Sequence, residues 1–375
     1  MNFEISDDAR AIGEEARTLL QRRQARAAAR QLLDCGGHDQ ALWQTMGELG
    51  WLGVNIGTDD GGAQAGVEAL CMLAQELGHA LAAVPFASTV YLFADAVAQL
   101  GTPQQRSEQL SAVAAGRLVG TLALAEGLGE THADTLACRV RGGRLSGRKW
   151  PVVDGLAAQR AVVVAWDHDA GGEAALFLVR LDHPGVQRAA LAGIDPSREL
   201  AQLVFDRAPA ERLGTQPHGP AALERMLARA AVPMAFEQIG GAQACLDMAV
   251  AYAKTRYAFG RPIGSFQAIK HKLADVYIAL ELARSNAYFA AWALAHDAPE
   301  LPQAAAAARI SASEAYLLAA KENIQTHGGL GVTWEADCHL YLRRGRHLGL
   351  ALGGLGAWKD RLAQQLAKTA PQRKN

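Results

Sequence analysis

The chain has 375 residues, 50% of them hydrophobic and 20% charged, which is enough for two or three packed domains. Its formal net charge of −1 excludes a broadly basic surface of the kind that binds nucleic acid. The five cysteines are scattered and form no CxxC pair, so they predict neither a disulfide framework nor a zinc site, but free thiols in a reducing cytoplasm.

The N-terminal segment Met1 to Asp8 is acidic and has no apolar core, unlike a signal peptide. Elsewhere, every stretch of about 18 residues is interrupted by charged or polar side chains. We therefore expect no membrane association, no metal, and a small molecule or another protein as the partner.

Helical periodicity dominates residues 1–116. The run from Ala9 to Leu33 follows Ser6-Asp7-Asp8, a cluster typical of a helix N-cap, and predicts one long helix. Glycine and proline separate further predicted helices, at 41–49, 67–81, 88–100 and 104–115.

The pattern changes after Gly116. Short apolar or alternating runs are separated by turns rich in glycine, aspartate and proline, which predicts a small all-β barrel or sandwich. These runs are 119–126, 136–141, 161–166, 175–181 and 201–206, and the clearest strands among them are Val162-Val163-Val164 and Leu203-Val204-Phe205.

Helical periodicity returns near Pro220 and predicts a bundle of long antiparallel helices. The predicted helices are 221–256, 267–296, 303–326, a fourth that starts near Glu335 and is broken at Gly353-Gly354, and a last one from 355 to about 368. We therefore predict an α+β multidomain chain: an N-terminal helical domain (1–116), a central β domain (117–217) and a C-terminal helical bundle (218–375).

The segment from Arg256 to Gln267 joins the first two helices of this bundle. It contains Arg256, a proline and two glycines, and ends at the amide of Gln267. Exposed backbone N–H groups at a helix start and an arginine fork both suit a phosphate, so this corner is a candidate anion site. An ordinary turn with a surface arginine is the alternative interpretation.

Two motifs resemble those of acyl-CoA dehydrogenases. They are Arg256-x-x-Phe259-Gly260 followed by Gln267, and the run Gln325-Thr326-His327-Gly328-Gly329-Leu330-Gly331. The family's order of domains, an N-terminal helical domain, a central β domain and a C-terminal four-helix bundle, is the order predicted above, so the resemblance covers nearly the whole chain.

The resemblance implies FAD as cofactor. Arg256 would neutralise its pyrophosphate, and Phe259 and Gln267 would contact the nucleotide. Gln325, Gly328 and Gly329 match a second FAD-contacting run that reaches the nucleotide of a neighbouring subunit, which implies an oligomer, usually a dimer of dimers. Trp150 resembles the residue that flanks the flavin ring.

The resemblance also exposes a missing carboxylate. The family removes the α-proton of an acyl-CoA with a glutamate, and in most members this glutamate would fall at Leu352, in others near Ala230. Neither residue accepts a proton. Glu237, two helical turns beyond Ala230, is the candidate catalytic base, and a structural glutamate paired with an arginine is the alternative.

The central domain departs from the family as well. The flavin-contacting loop corresponds to residues 125–131, which lack the usual proline and serine, and Pro151-Val152 replaces a polar residue after Trp150. Such departures are similar to a bacterial branch that acts on steroids and other bulky acyl groups as heterotetramers of unlike subunits.

Three hypotheses follow. The first is a cytoplasmic FAD-dependent dehydrogenase of a bulky, branched or ring-bearing acyl-CoA, with Glu237 as base, that passes electrons to an electron-transfer flavoprotein. The second is a non-catalytic subunit that completes FAD sites in a heteromeric enzyme. The third is a flavin oxidase or monooxygenase of the same fold, which needs no family glutamate.

Overall fold

The computed structural model describes residues 5–129, 135–215 and 219–369, and these divide into two compact units. The helical unit contains Met1–Arg26, Val67–Ala82 and Ala231–Asn375, and the barrel unit contains Ala27–Gly66 and Ala83–Ala230. The predicted order of helical, β and helical regions is confirmed. The three-domain boundaries stay a prediction, since the units regroup the N-terminal helices.

The N-terminal region is helical, as predicted, with one correction. Residues 9–33 do not form a single helix: Gln24 adopts φ +52°, a left-handed conformation that ends one helix before the next begins. The 87–100 segment starts as a π-helix, Ala87–Ala94. The α-helices are α1 (Asp7–Arg22), α2 (Ala25–Cys35), α3 (Gln40–Glu48), α4 (Gly66–His79), α5 (Asp95–Leu100) and α6 (Pro103–Ala114).

The central strands form a closed barrel. The ring of paired strands runs β4–β2–β3–β7–β5 and returns to β4, while β1 and β6 add to β4 and β7. The strands are β1 (Gly120–Ala123), β2 (Arg139–Arg141), β3 (Arg144–Val153), β4 (Arg160–Asp167), β5 (Glu173–Arg180), β6 (Val186–Leu191) and β7 (Leu200–Arg212). Closure leaves no open edge in this ring, which a seven-stranded open sheet would have to cover.

Two of these strands have no counterpart among the predicted runs. β6 pairs only with β7 and keeps its central side chains exposed, so it lacks an apolar signature. β3 carries three cationic residues and is interrupted by Gly147 and Pro151, and its place in the barrel comes from pairing with β2 and β7. The clearest predicted strands fall inside β4 and β7.

The C-terminal helices match the predicted bundle. They are α7 (Gly219–Thr255), α8 (Gln267–Ala295), α9 (Leu301–His327), α10 (Cys338–Leu350) and α11 (Leu355–Thr369). α8 and α9 pack through buried alanines, among them Ala287 and Ala312, whose small side chains let helix backbones approach closely.

α4 and α7 make an even closer contact within the helical unit. A Cβ atom on Gly78 would lie 1.9 Å from the carbonyl oxygen of Glu237, and one on Gly240 would lie 1.8 Å from that of Gln75. The backbones therefore touch where both helices lack a side chain. None of the helices in the described part of the chain is both long and apolar enough to cross a membrane.

Candidate functional site

The candidate anion site is a small hairpin between α7 and α8. Strands β8 (Tyr257–Ala258) and β9 (Arg261–Pro262) pair antiparallel. Phe259 and Gly260, the two residues between them, adopt φ +52° and +78°, as a tight hairpin turn requires. The N–H of Ile263 donates to the carbonyl of Arg256 at 2.8 Å and closes the loop.

The side chains of this hairpin face outward. The Arg256 side chain is exposed and has no hydrogen bond or ion pair with any residue that the structure describes, and Phe259 is 96% exposed. Gln267 opens α8, whose start has no side-chain cap. The first-turn N–H groups of α8 and a free guanidinium therefore lie within one short segment, which suits an anion.

The second predicted run lies at the same end of the bundle. The ring of His327, the last residue of α9, stacks on Tyr252 of α7 at 4.2 Å between centroids. Lys272 of α8 pairs with Glu322 of α9 at 3.2 Å. The structure thus brings the end of α7, the start of α8 and the end of α9 together.

The glycines after α9 leave room for a ligand. Gly328 has φ +60°, and neither it nor Gly329 has a neighbouring atom within 4 Å of the place where a Cβ would stand. Gln325, one turn earlier on α9, is exposed. Accessible backbone, an amide and the free cation of Arg256 fit a nucleotide diphosphate such as that of FAD.

Trp150, the predicted flavin neighbour, lies on β3 of the barrel unit. It is half-buried, the Arg148 guanidinium lies 5.7 Å from its ring centroid, and a parallel bridge joins it to Glu126. Its indole N–H is buried and has no hydrogen-bond partner in the described part of the chain. A ligand with an acceptor atom would satisfy this donor.

Lys149, the residue before Trp150, forms a buried ion pair with Glu126. The Lys149 ammonium is fully buried and donates to Glu126 at 2.7 Å and to the Leu124 carbonyl at 2.9 Å. Burial would raise the pKa of Glu126, but Lys149 and the amides of Ala137 and Cys138 together lower it. This pair holds the start of the altered loop 125–131, whose last two residues, 130–131, lie outside the described part of the chain.

Glu237 lies in the core of the helical unit and not beside the hairpin. It is only 3% exposed, and it precedes Arg256 by 19 positions of α7, about 28 Å along the helix axis. Its charge acts on Arg309 of α9: burial lowers the pKa of Arg309 to about 10, and Glu237 opposes part of that shift. Whether Glu237 is the catalytic base or a structural glutamate paired with an arginine stays a prediction.

Arg309 binds the segment just before Leu352. Its guanidinium is fully buried and donates to the carbonyls of Leu348 and Ala351, the latter at 2.9 Å. Gln238 accepts another of its hydrogen bonds. Leu352 itself has φ +62°, and α10 ends two residues earlier.

The sequence analysis did not single out Arg309. The available signal was an isolated arginine after the run Ala304 to Ala308, in a helix whose other inward residues are mostly alanine. A cation in such a position is buried only with partners, and its partners cannot be identified from the local sequence.

A separate polar pocket of about 390 Å³ lies in the helical unit. Its two arginines are already bound, since Arg17 pairs with Glu76 at 2.9 Å and Arg284 donates to two glutamines. The lining residues are Arg17, Gln21, Gln75, His79, Gln243, Asp247 and Arg284. Asp247 is 57% exposed in its side chain and lies 3.5 Å from His79.

Comparisons with known proteins identify the family. Residues 6–117 match the family model "Acyl-CoA dehydrogenase, N-terminal domain", and residues 218–366 match "Acyl-CoA dehydrogenase, C-terminal domain". The chain is 35% identical to acyl-CoA dehydrogenase IpdE2 of Mycobacterium tuberculosis over 82% of its own length and 81% of that protein.

Two solved structures share both fold and sequence with the chain. A variant of the Tcur3481-Tcur3483 steroid ACAD superposes with a TM-score of 0.88 and 32% identity, covering 97% of this chain and 99% of that one. The ChsE4-ChsE5 complex from Mycobacterium tuberculosis gives 0.89 and 30%, covering 99% and 100%. The chain therefore belongs to the acyl-CoA dehydrogenase family of FAD-dependent oxidoreductases.

Proposed function

We propose that this chain is one subunit of a heteromeric acyl-CoA dehydrogenase that acts on a bulky, branched or ring-bearing acyl-CoA. One observation carries the proposal: the residues that suit FAD are present, while the chain has no available carboxylate at either family position. The names of the similar structures, one a steroid ACAD and the other a complex of two named proteins, support a ring-bearing substrate and an unlike partner.

In this proposal Arg256, Gln267 and the first turn of α8 would hold the FAD pyrophosphate, and Gln325, Gly328 and Gly329 would contact the nucleotide of a neighbouring subunit through amide and backbone groups. Trp150, in the barrel unit, would flank a flavin ring. When bound, FAD supplies the acceptor for the hydride that leaves the β-carbon of the acyl group. The electrons then pass to an electron-transfer flavoprotein, in a reducing cytoplasm where the five free thiols persist.

Removal of the α-proton needs a carboxylate within hydrogen-bond reach. Leu352 and Ala230 cannot provide one, and Glu237 is buried where its charge acts on Arg309. The geometry therefore favours a base that the unlike subunit supplies, so this chain contributes cofactor binding and the partner contributes proton abstraction. Glu237 as the base of this chain is the second candidate.

The test is co-expression with the product of a neighbouring gene of the same family, followed by native mass and absorbance measurements. We expect a yellow complex of two plus two subunits, whose flavin is bleached by cholyl-CoA, a ring-bearing probe, faster than by isobutyryl-CoA. A yellow assembly of this chain alone that is bleached by either probe would contradict the heteromeric part of the proposal. Faster bleaching by isobutyryl-CoA would contradict the bulky substrate.

A further inference from the structure

We propose that Arg309, held by Gln238 of α7, is a positioning residue that fixes the turn Ala351–Gly353. The inference rests on the proposed function for its meaning, because the turn contains the position where relatives carry their glutamate. Its structural content concerns only residues of the helical unit and can be tested without a substrate.

The first argument is the geometry of the turn. α10 ends at Leu350, Leu352 adopts φ +62°, and Gly353 adopts φ +98°. A left-handed backbone is unfavourable for leucine, so the surrounding structure must hold this conformation. The carbonyls that end α10 have no helical partners of their own, and Arg309 donates to two of them, Leu348 and Ala351.

The second argument is the cost of burying the guanidinium. An unpaired cation in the core would be strongly destabilising, and Arg309 is fully buried. Two adjacent residues of α7 stabilise the buried guanidinium: Glu237 provides negative charge, and Gln238 accepts a hydrogen bond. Ser313, one turn along α9, lies 3.3 Å from the same guanidinium nitrogen and also binds Gln238.

Arg309 and Glu237 therefore have different roles. Arg309 donates hydrogen bonds to the turn directly, whereas the charge of Glu237 acts on Arg309. Loss of Glu237 should therefore reduce stability and leave the turn in place, and loss of Arg309 should release the turn even where the charge is balanced.

The experiment compares Arg309→Met, Glu237→Gln and the double variant in the full chain, by thermal unfolding and by hydrogen–deuterium exchange of peptides covering 349–354. We expect Arg309→Met to speed exchange there at least tenfold and to lower Tm. In the double variant Tm should recover towards the wild-type value while exchange stays fast. Lys359→Met is the matched control, since Lys359 pairs with Glu314 between α11 and α9 at the surface, at 2.8 Å.

Slow exchange of the turn in both Arg309 variants would overturn the proposal, as would fast exchange in Glu237→Gln alone. A second readout uses the assembled yellow complex: bleaching per bound flavin should fall less than tenfold in Glu237→Gln. A loss above a hundredfold at normal exchange and Tm would make Glu237 the base and overturn its role as counter-charge. Failure of the wild-type complex to bleach would contradict the proposed function alone, because the exchange result needs no substrate.

Discussion

The guanidinium of Arg256 is exposed, has no partner among the described residues, and belongs to the hairpin that precedes a 29-residue helix with no side-chain cap. A solvent-exposed cation contributes little to the stability of the fold, so we expect Arg256 to act in ligand binding. At the residue scale this separates Arg256 from Arg309, which is buried and forms its hydrogen bonds with other residues of the helical unit. The two arginines should respond to substitution in opposite ways.

We expect Arg256→Ala to weaken FAD retention 10- to 100-fold without changing Tm of the FAD-free protein. A charge-assisted hydrogen bond to phosphate contributes about 1.5–3 kcal/mol, and no internal contact is lost. Equilibrium dialysis with FAD measures the effect. Arg261→Ala is the control, because Arg261 instead covers the ring of Phe266 at 4.1 Å, and equal losses in the two variants would contradict a specific role for Arg256.

Lys149 and Glu126 allow a prediction in the barrel unit. Lys149→Met should destabilise the protein by about 2–4 kcal/mol, since it leaves the Glu126 carboxylate enclosed without its cation. The double variant with Glu126→Gln should recover more than half of that loss, as judged by urea unfolding. A double variant no more stable than Lys149→Met would show that packing, and not charge, sets the cost.

The same pair predicts a dependence on pH. The pKa of Glu126 is lower in the folded chain than its ordinary value of about 4.3, so its contribution is complete above that value and is lost as pH falls through the folded pKa. Wild-type Tm should therefore drop more steeply below about pH 4 than Tm of the double variant. Parallel curves would contradict this assignment.

At the scale of elements, composition predicted the long helices well because alanine and leucine are strong helix formers. The helix predicted at 267–296 is Gln267–Ala295. Prediction failed where a single residue or a partner distant in sequence determines the structure. Gln24 breaks a predicted helix, and β3 is a strand because it pairs with its neighbours in the barrel. The burial of Arg309 was not predicted for the same reason, since its hydrogen-bond partner Gln238 lies 71 positions away in sequence.

The contact of α4 with α7 gives a prediction for two glycines. Gly78→Ala and Gly240→Ala should each destabilise the protein by about 3 kcal/mol, because the new Cβ would overlap a backbone carbonyl that cannot rotate away. Gly356→Ala is the control: it lies in α11 with open space around it and should stabilise by up to about 1 kcal/mol. Urea unfolding measures the free energy of unfolding of each variant. A decrease below about 1 kcal/mol for both Gly78→Ala and Gly240→Ala would contradict the close packing.

At the scale of the whole molecule, the helical unit leaves an apolar face of α8 in solvent. Tyr277, Ile278 and Leu282 are 55%, 55% and 61% exposed, and Ile278 and Leu282 are one helical turn apart. Three large apolar side chains on one helix form a patch of the kind that marks a protein interface. The proposed heteromer would bury this face, and so would an assembly of identical chains.

Ile278→Asp combined with Leu282→Asp tests whether this face is buried by another subunit. Two carboxylates in an apolar interface would each lose hydration without a partner, which should disfavour association by several kcal/mol and lower the native mass of the yellow complex. Lys321→Asp, at an exposed site on α9, should leave the mass unchanged. Native mass spectrometry measures the assembly, and circular dichroism checks that helix content is retained. An unchanged mass in the double variant would place the interface on another surface of the chain.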